Sequence, residues 1–195
     1  MARTASIHRE TAETRIEIEL DLDGTGQHTL TTGVGFFDHM LTHLARHSMI
    51  DMKIHAAGDL HIDAHHTVED VGIAFGACLK AALGDKAGIA RYGSAVVPMD
   101  DVLVAVAIDL SGRPYLVWNA KIANEIVGNF HSSLAEEFFR AVSSSSGMNL
   151  HLTLHHGHNT HHAIEACFKA FARALRQAVE PDPRSKAIPS TKGSL

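Results

Sequence analysis

The sequence is poor in several things, and each shortage removes a class of protein. It has two cysteines, Cys78 and Cys167. Both stand in apolar, helix-like runs outside any metal-ligand spacing, which excludes a disulfide framework and a thiolate metal site and leaves buried thiols. Positive charge is not in excess: the formal charge is −5 with histidine neutral, which speaks against a nucleic-acid partner. The longest apolar runs break well short of a membrane-spanning length, so no membrane association is expected. Residues 1–10 contain no apolar signal core, and a cytoplasmic location is expected. Aromatics are scarce, with one tryptophan and two tyrosines.

Against that background histidine stands out, with 16 residues dispersed through the chain. A purification tag would be a terminal run. Neutral imidazole is the commonest protein metal ligand, so metal binding is the leading reading.

The patterning is that of one compact domain built from two halves. Ile16, Ile18, Leu20 and Leu22 alternate in residues 15–22, the mark of a half-buried strand. The turn Asp23-Gly24-Thr25-Gly26 leads into a second strand over 27–34. Phe37, Met40, Leu41 and Leu44 share one helical face in 36–47, followed by a strand at 51–57 and a helix over 66–83 that ends at Gly84. The order then restarts: strands at 94–98, 102–110 and 114–120, a helix at 132–142, a strand at 150–154 and a helix at 162–179. Each half reads as strand, strand, helix, strand, helix, with an extra strand in the second. The half-repeats are drawn at 1–92 and 93–180, and 181–195 reads as an extended tail.

The duplication is visible residue by residue. A shift of 96 lays His65, His66, Glu69, Ala74, Phe75, Leu79 and Ala82 on His161, His162, Glu165, Ala170, Phe171, Leu175 and Ala178. Two amphipathic helices share Ala, Phe and Leu readily; two copies of His-His-x-x-Glu mark a repeat. A shift of 98 sets His39 on Glu137.

Each motif sits at a strand-to-helix junction. Glu69 lies three or four residues after His66 and His65 and faces the same side as either. Adjacent histidines diverge by about 100° around a helix, so one motif more naturally serves two ions than chelates one. Imidazole with carboxylate suits manganese, iron, zinc or cobalt and does not choose among them. Further ligands are needed, and His39, Glu137, His131, His155, His156 and His158 are candidates. On the residues alone, a two-metal hydrolase and a histidine-rich metal-storage protein remain open beside a lyase.

Five segments resemble one family. Gly-Phe-Phe-Asp-His-Met-Leu at 35–41, Asp-x-His-His-x-x-Glu-Asp at 63–70, Asn-x-His-His-x-x-Glu at 159–165, Pro-Ser-Thr-Lys-Gly at 189–193 and the opening Arg9-Glu10-Thr11-x-Glu13-Thr14 are similar to the signatures of the imidazoleglycerol-phosphate dehydratases. The likeness spans nearly the whole chain, whose length is that of the form without a fused phosphatase. It implies a hydro-lyase of histidine biosynthesis and an α/β (α+β) sandwich of two ββαβα-type units, like the second domain of ribosomal protein S5. It also implies assembly into 24-subunit shells, with active sites between subunits and two manganese(II) ions in each. The implied ligands are His39, His65, His66, Glu69, Glu137, His161, His162 and Glu165. The family often has histidine where this chain has Glu137, and a carboxylate can replace imidazole at manganese.

The resemblance also implies substrate contacts at Glu13, His47, Arg91, Asp100, Arg113, Lys169, Ser190 and Lys192, the cations and Ser190 serving the phosphate. The chemical problem is elimination of water when the departing hydrogen sits on a weakly acidic carbon. The expected route uses the substrate's own ring, as a metal-stabilised imidazolate that expels the adjacent hydroxyl to give a diazafulvene-like intermediate. Glu13, Glu69 and Glu165 are the candidates for proton transfer.

Overall fold

The computed structural model describes residues 2–195; Met1, with which the expected first half-repeat begins, lies outside the described residues. The first half runs β1 (Thr4–Glu10), β2 (Thr14–Asp21), β3 (His28–Thr31), α1 (Gly35–Ser48), β4 (Asp51–Gly58) and α2 (His65–Leu83). The second runs β5 (Tyr92–Met99), β6 (Val102–Asp109), β7 (Tyr115–Asn119), a short hairpin of β8 (Ile126–Val127) and β9 (Phe130–His131), then α3 (Leu134–Ser146), β10 (Asn149–His156) and α4 (Thr160–Val179).

The extra strand expected only in the second half is present in both. In β1 the inward side carries Ala5, Ile7 and Arg9, all half-buried, so the alternation that betrays β2 is too weak to read. The β8–β9 hairpin, also unforeseen, interrupts the repeat. Its Phe130 packs against Phe36 and Phe37 of α1.

The two sheets have matching topology. The first is ordered β1-β2-β4-β3 and the second β5-β6-β10-β7. In each, three antiparallel neighbours are followed by one parallel pair, β3–β4 or β7–β10. Helices α1 and α2 cover the inner face of the first sheet, and α3 and α4 that of the second; α1 packs on α4 and α2 on α3. The helices thus form the middle of a duplicated α/β sandwich, the architecture expected.

Burial follows period. Ile16, Ile18 and Leu20 of β2 and Val102, Val104, Val106 and Ile108 of β6 point at the helices and are almost fully buried. Seven of the eight phenylalanines are fully buried, among them Phe37, Phe75, Phe138, Phe139, Phe168 and Phe171 on the helices. At about 25 cal/mol per Å² such rings dominate the hydrophobic driving force. On α2, Gly72 and Gly76 allow α3 to come close: a Cβ on Gly76 would stand 2.7 Å from the Val142 carbonyl oxygen. Cys78 and Cys167 are buried free thiols, as expected.

The segment after α4 is folded back rather than extended away. Gly88 N–H donates to the Ala187 carbonyl at 2.9 Å, and Asp182 N–H donates to Gly88 at 2.8 Å. These bonds hold the tail beside the Gly88–Arg91 turn. No helix is long and apolar enough to cross a membrane.

Candidate active site

The α1–α4 packing builds the strongest cluster. The buried stripe of α1 (Phe37, Met40, Leu41, Leu44) fixes its rotation, and the opposite stripe then carries His39, His43 and His47 at four-residue spacing. Helix α4 starts where the Asn159 side chain accepts the His162 N–H at 3.1 Å, a side-chain N-cap. The first turn of α4 therefore sets His161 and Glu165 against α1. Glu165 Oε2 is 3.4 Å from His39 Nε2 and 3.2 Å from His161 Nε2. Its Oε1 is 3.4 Å from His43 Nε2 and 2.5 Å from Lys169 Nζ. Among the described residues, His39, His43 and Glu165 form a group whose ligand atoms all lie within 4.8 Å of one another.

The electrostatics suit a cation. Burial works against ionising Glu165, but the Lys169 hydrogen bond, with His43 and His161, holds its carboxyl down at about 2. Burial lowers His43 to about 4, outweighing the attraction of Glu165, so that imidazole is neutral near pH 7. Neutral nitrogen beside ionised carboxylate is the donor chemistry of a borderline divalent metal. The residues present fit such an ion.

The first motif lies apart from this cluster. His65 Nε2 is 3.9 Å from Glu69 Oε2, with both side chains nearly half exposed. His66 turns the other way: its Nδ1 lies 3.0 Å from Asp59 Oδ2 and 3.8 Å from Glu13 Oε2. The Asp59 hydrogen bond raises His66 above its ordinary value. Glu13 is placed by the β1–β2 turn, whose Thr11 Oγ1 accepts from Glu13 N–H and Thr14 N–H. The turn is tied to α2 by Arg9, which donates to Asp70 at 2.8 and 3.0 Å, and by Thr14 Oγ1. This network is the structural use of the Arg9–Thr14 opening segment and of Asp70. Glu137 is half-buried in the first turn of α3, with no hydrogen bond or ion pair among the described residues.

The second motif repeats the divergence. While His161 meets Glu165, His162 Nδ1 lies 3.0 Å from Asp101 Oδ1, and its Nε2 lies 3.6 Å from Asp100. Asp101 is held far below the usual carboxylate range by the His158 N–H first, then by His162 and the Asn159 N–H. Asp100 adopts a left-handed backbone, φ 48°, at the tip of the β5–β6 turn, a conformation short polar residues tolerate. Among the described residues, no hydrogen bond or ion pair joins the α2 motif to the α4 motif.

A separate hollow of about 560 Å³ collects Arg91, Arg113, Ser190 and Lys192 with Tyr92. Arg91 bonds Asp109 through Nε (2.7 Å) and Nη2 (3.1 Å), and its Nη1 reaches the Pro189 carbonyl at 2.7 Å. One arginine thereby fixes the tail across the pocket. Lys169 is not here; it lies between Glu165 and the Met99 sulfur. His47 stacks on His43 along α1, and burial, aided by Lys169 and Arg173, lowers it.

The sequence reading missed His43, Asp59 and Asp101. His43 had a signal, four residues from both His39 and His47. The two aspartates had none: Asp59 reaches His66 from the β4–α2 connection at a spacing no helical or strand period marks, and Asp101 meets His162 from 61 residues away.

A duplicated α/β sandwich with a histidine–carboxylate centre defines a metal-dependent enzyme. The family model described as imidazoleglycerol-phosphate dehydratase matches residues 32–175. The imidazoleglycerol-phosphate dehydratase of Paracoccus denitrificans is 61% identical over 194 residues, 99% of this chain and 100% of that protein. That of Acidiphilium cryptum is 59% identical over 196 residues, covering all of both. The crystal structure of the Staphylococcus aureus dehydratase superposes with TM-score 0.83 at 42% identity, covering 91% of this chain and 99% of that one. The Pyrococcus furiosus structure superposes at 0.84 with 37% identity, covering 97% and 100%. The chain belongs to the imidazoleglycerol-phosphate dehydratase family: it is a hydro-lyase of histidine biosynthesis acting on a small molecule.

Proposed function

We propose that the chain converts D-erythro-imidazoleglycerol phosphate to imidazoleacetol phosphate at sites completed between subunits. The supporting observation is the convergence of His39, His43 and His161 on the ionised Glu165, while His65, His66 and Glu69 stand apart with partly exposed side chains. A single chain carries two partial centres, and apposition of copies would complete them, which agrees with a 24-subunit shell. The proposed ligands are His39, His65, His66, Glu69, Glu137, His161, His162 and Glu165, holding two manganese(II) ions. When bound, the pair would supply Lewis acidity that favours negative charge on the substrate's ring, the condition for the diazafulvene-like route.

The chain's own groups handle binding and protons. Arg91, Arg113, Ser190 and Lys192, brought together by the tail (181–195), bind the phosphate. Glu13, His47, Asp100 and Lys169 are the further substrate contacts. Proton transfer falls to Glu13, Glu69 or Glu165. Glu13 is the strongest of the three, because its side chain is half exposed at a turn tip beside His66 while Glu165 is tied to Lys169. Loss of hydroxide from one carbon and a proton from its neighbour gives water and an enol, which becomes the ketone.

The test is direct assay of that conversion, with and without chelator. Product that disappears on chelation and returns with manganese supports the reading; a fully metallated protein that forms none overturns it. In the same assay, Arg113→Ala or Lys192→Ala is expected to raise KM roughly 10- to 100-fold, the worth of one charge-assisted hydrogen bond. Metal content should not change. Loss of metal in either variant would show that the phosphate pocket and the metal centre have been divided wrongly.

A further inference from the structure

The second histidine of each motif is turned by a carboxylate from another element. His66 Nδ1 lies 3.0 and 3.2 Å from the two Asp59 oxygens, and His162 Nδ1 lies 3.0 Å from Asp101 Oδ1. Asp59 follows β4, whereas Asp101 lies in the β5–β6 turn. They are not counterparts: the 96-residue shift that aligns the motifs places His155 at the position of Asp59. By sheet topology the counterpart of Asp101 is Glu13, in the β1–β2 turn, whose Oε2 stands 3.8 Å from the same His66 Nδ1; the nearer carboxylate, Asp59, comes from a position with no equivalent in the second half's contact. A carboxylate only accepts, so in each neutral ring Nδ1 carries the hydrogen and Nε2 keeps its lone pair; the nearest carboxylate to His162 Nε2 is Asp100, at 3.6 Å. The first histidines, His65 and His161, have no such Nδ1 partner among the described residues and meet their own glutamates through Nε2.

We propose that Asp59 and Asp101 are positioning residues for the metal centre: each fixes the tautomer and ring plane of its histidine and so presents Nε2 to an ion. This rests on the reading of His66 and His162 as ligands. A histidine donating its other nitrogen to a carboxylate is both oriented and made a stronger donor. Asp101 also accepts the backbone N–H groups of His158 (2.9 Å) and Asn159 (3.2 Å), so substituting it would also loosen the entry to α4. The Asp59 side chain accepts from His66 alone among the described residues, which makes it the clean test.

The experiment measures manganese(II) affinity of the purified full chain by competition with a chromophoric chelator, at a mildly alkaline pH where imidazoles are neutral. Asp59→Ala is expected to weaken binding about 10- to 100-fold. Asp59→Asn, which keeps an acceptor oxygen for Nδ1–H, should stay close to the parent. In a His66→Ala background, Asp59→Ala should add nothing, because the two residues act as one unit. Unchanged affinity in Asp59→Ala, an equal loss in Asp59→Asn, or a full further loss in the His66→Ala background would each overturn the proposal. If His66→Ala alone leaves manganese affinity intact, the ligand assignment itself falls, and the positioning role with it.

Discussion

His66→Ala and His162→Ala are expected to abolish nearly all turnover while each keeps roughly half the bound metal, since each motif sends its two histidines to different places. The divergence is seen in both halves: His65 faces Glu69 and His66 faces Asp59, just as His161 faces Glu165 and His162 faces Asp101. Removing one imidazole should damage one centre and leave the other partly filled. Turnover should still fall at least about a hundredfold, because on the proposed route both ions would hold the ring to stabilise its negative charge. The equivalent positions predict equivalent phenotypes. Metal analysis and turnover on the two purified variants decide the matter. Strong asymmetry, with one variant inactive and the other merely less stable, would point to one catalytic and one structural metal. Substantial activity in either would count against the shared-ring mechanism.

Acidification should strip the proposed metal pair and, with it, the proposed assembly. Ligand imidazoles must be neutral, so protons compete with the ion. His66 is raised above its ordinary value by Asp59, so protonation reaches the first motif early as pH falls. The metal-free protein should also lose stability in acid, and His43 and Glu165, two of its depressed groups, show the sign. His43 falls from 6.5 to about 4 on folding, chiefly through burial. The unfolded chain therefore binds its proton more readily, and this contribution is present above about pH 6.5 and is lost as pH falls through 4. Glu165, lowered from 4.5 to about 2, adds a loss in the same direction between those values. His66 acts oppositely: its stabilisation is full below its unfolded pKa and is lost as pH rises through its folded one, so it offsets part of the acid loss. Metal content, particle size and thermal midpoint over a falling pH series test both statements. A fully metallated, intact assembly well below about pH 5 would contradict the first, and a metal-free midpoint that rises from pH 6.5 to 4 would contradict the second.

Period and repeat carried much of the architecture. Alternation over Ile16, Ile18 and Leu20 marks β2, and the stripes of Phe37, Met40, Leu41 and Leu44 and of Leu134, Phe138, Phe139 and Val142 mark α1 and α3, because burial imposes a period of 2 or 3.6 on any sequence that folds one face inward. The twofold His-His-x-x-Glu was legible because residues three and four apart share a helical face. β1 escaped because its inward side holds one large aliphatic residue, Ile7, between Ala5 and Arg9.

What only the tertiary structure decided is which groups meet. His39 and His43 come to Glu165 from more than a hundred residues away because α1 packs on α4 rather than on α2. Lys169, expected at the phosphate, is drawn to Glu165 because a buried carboxylate needs a countercharge. Asp59 and Asp101 reach their histidines from different positions in the repeat, and the tail is drawn over Arg91 by backbone bonds at Gly88 and Ala90 and by the Pro189 carbonyl. Local sequence dictates faces, since side-chain direction repeats every few residues. Which face meets which depends on packing between distant segments, where buried aromatic volume and charge neutralisation choose the partner and no local pattern encodes the choice.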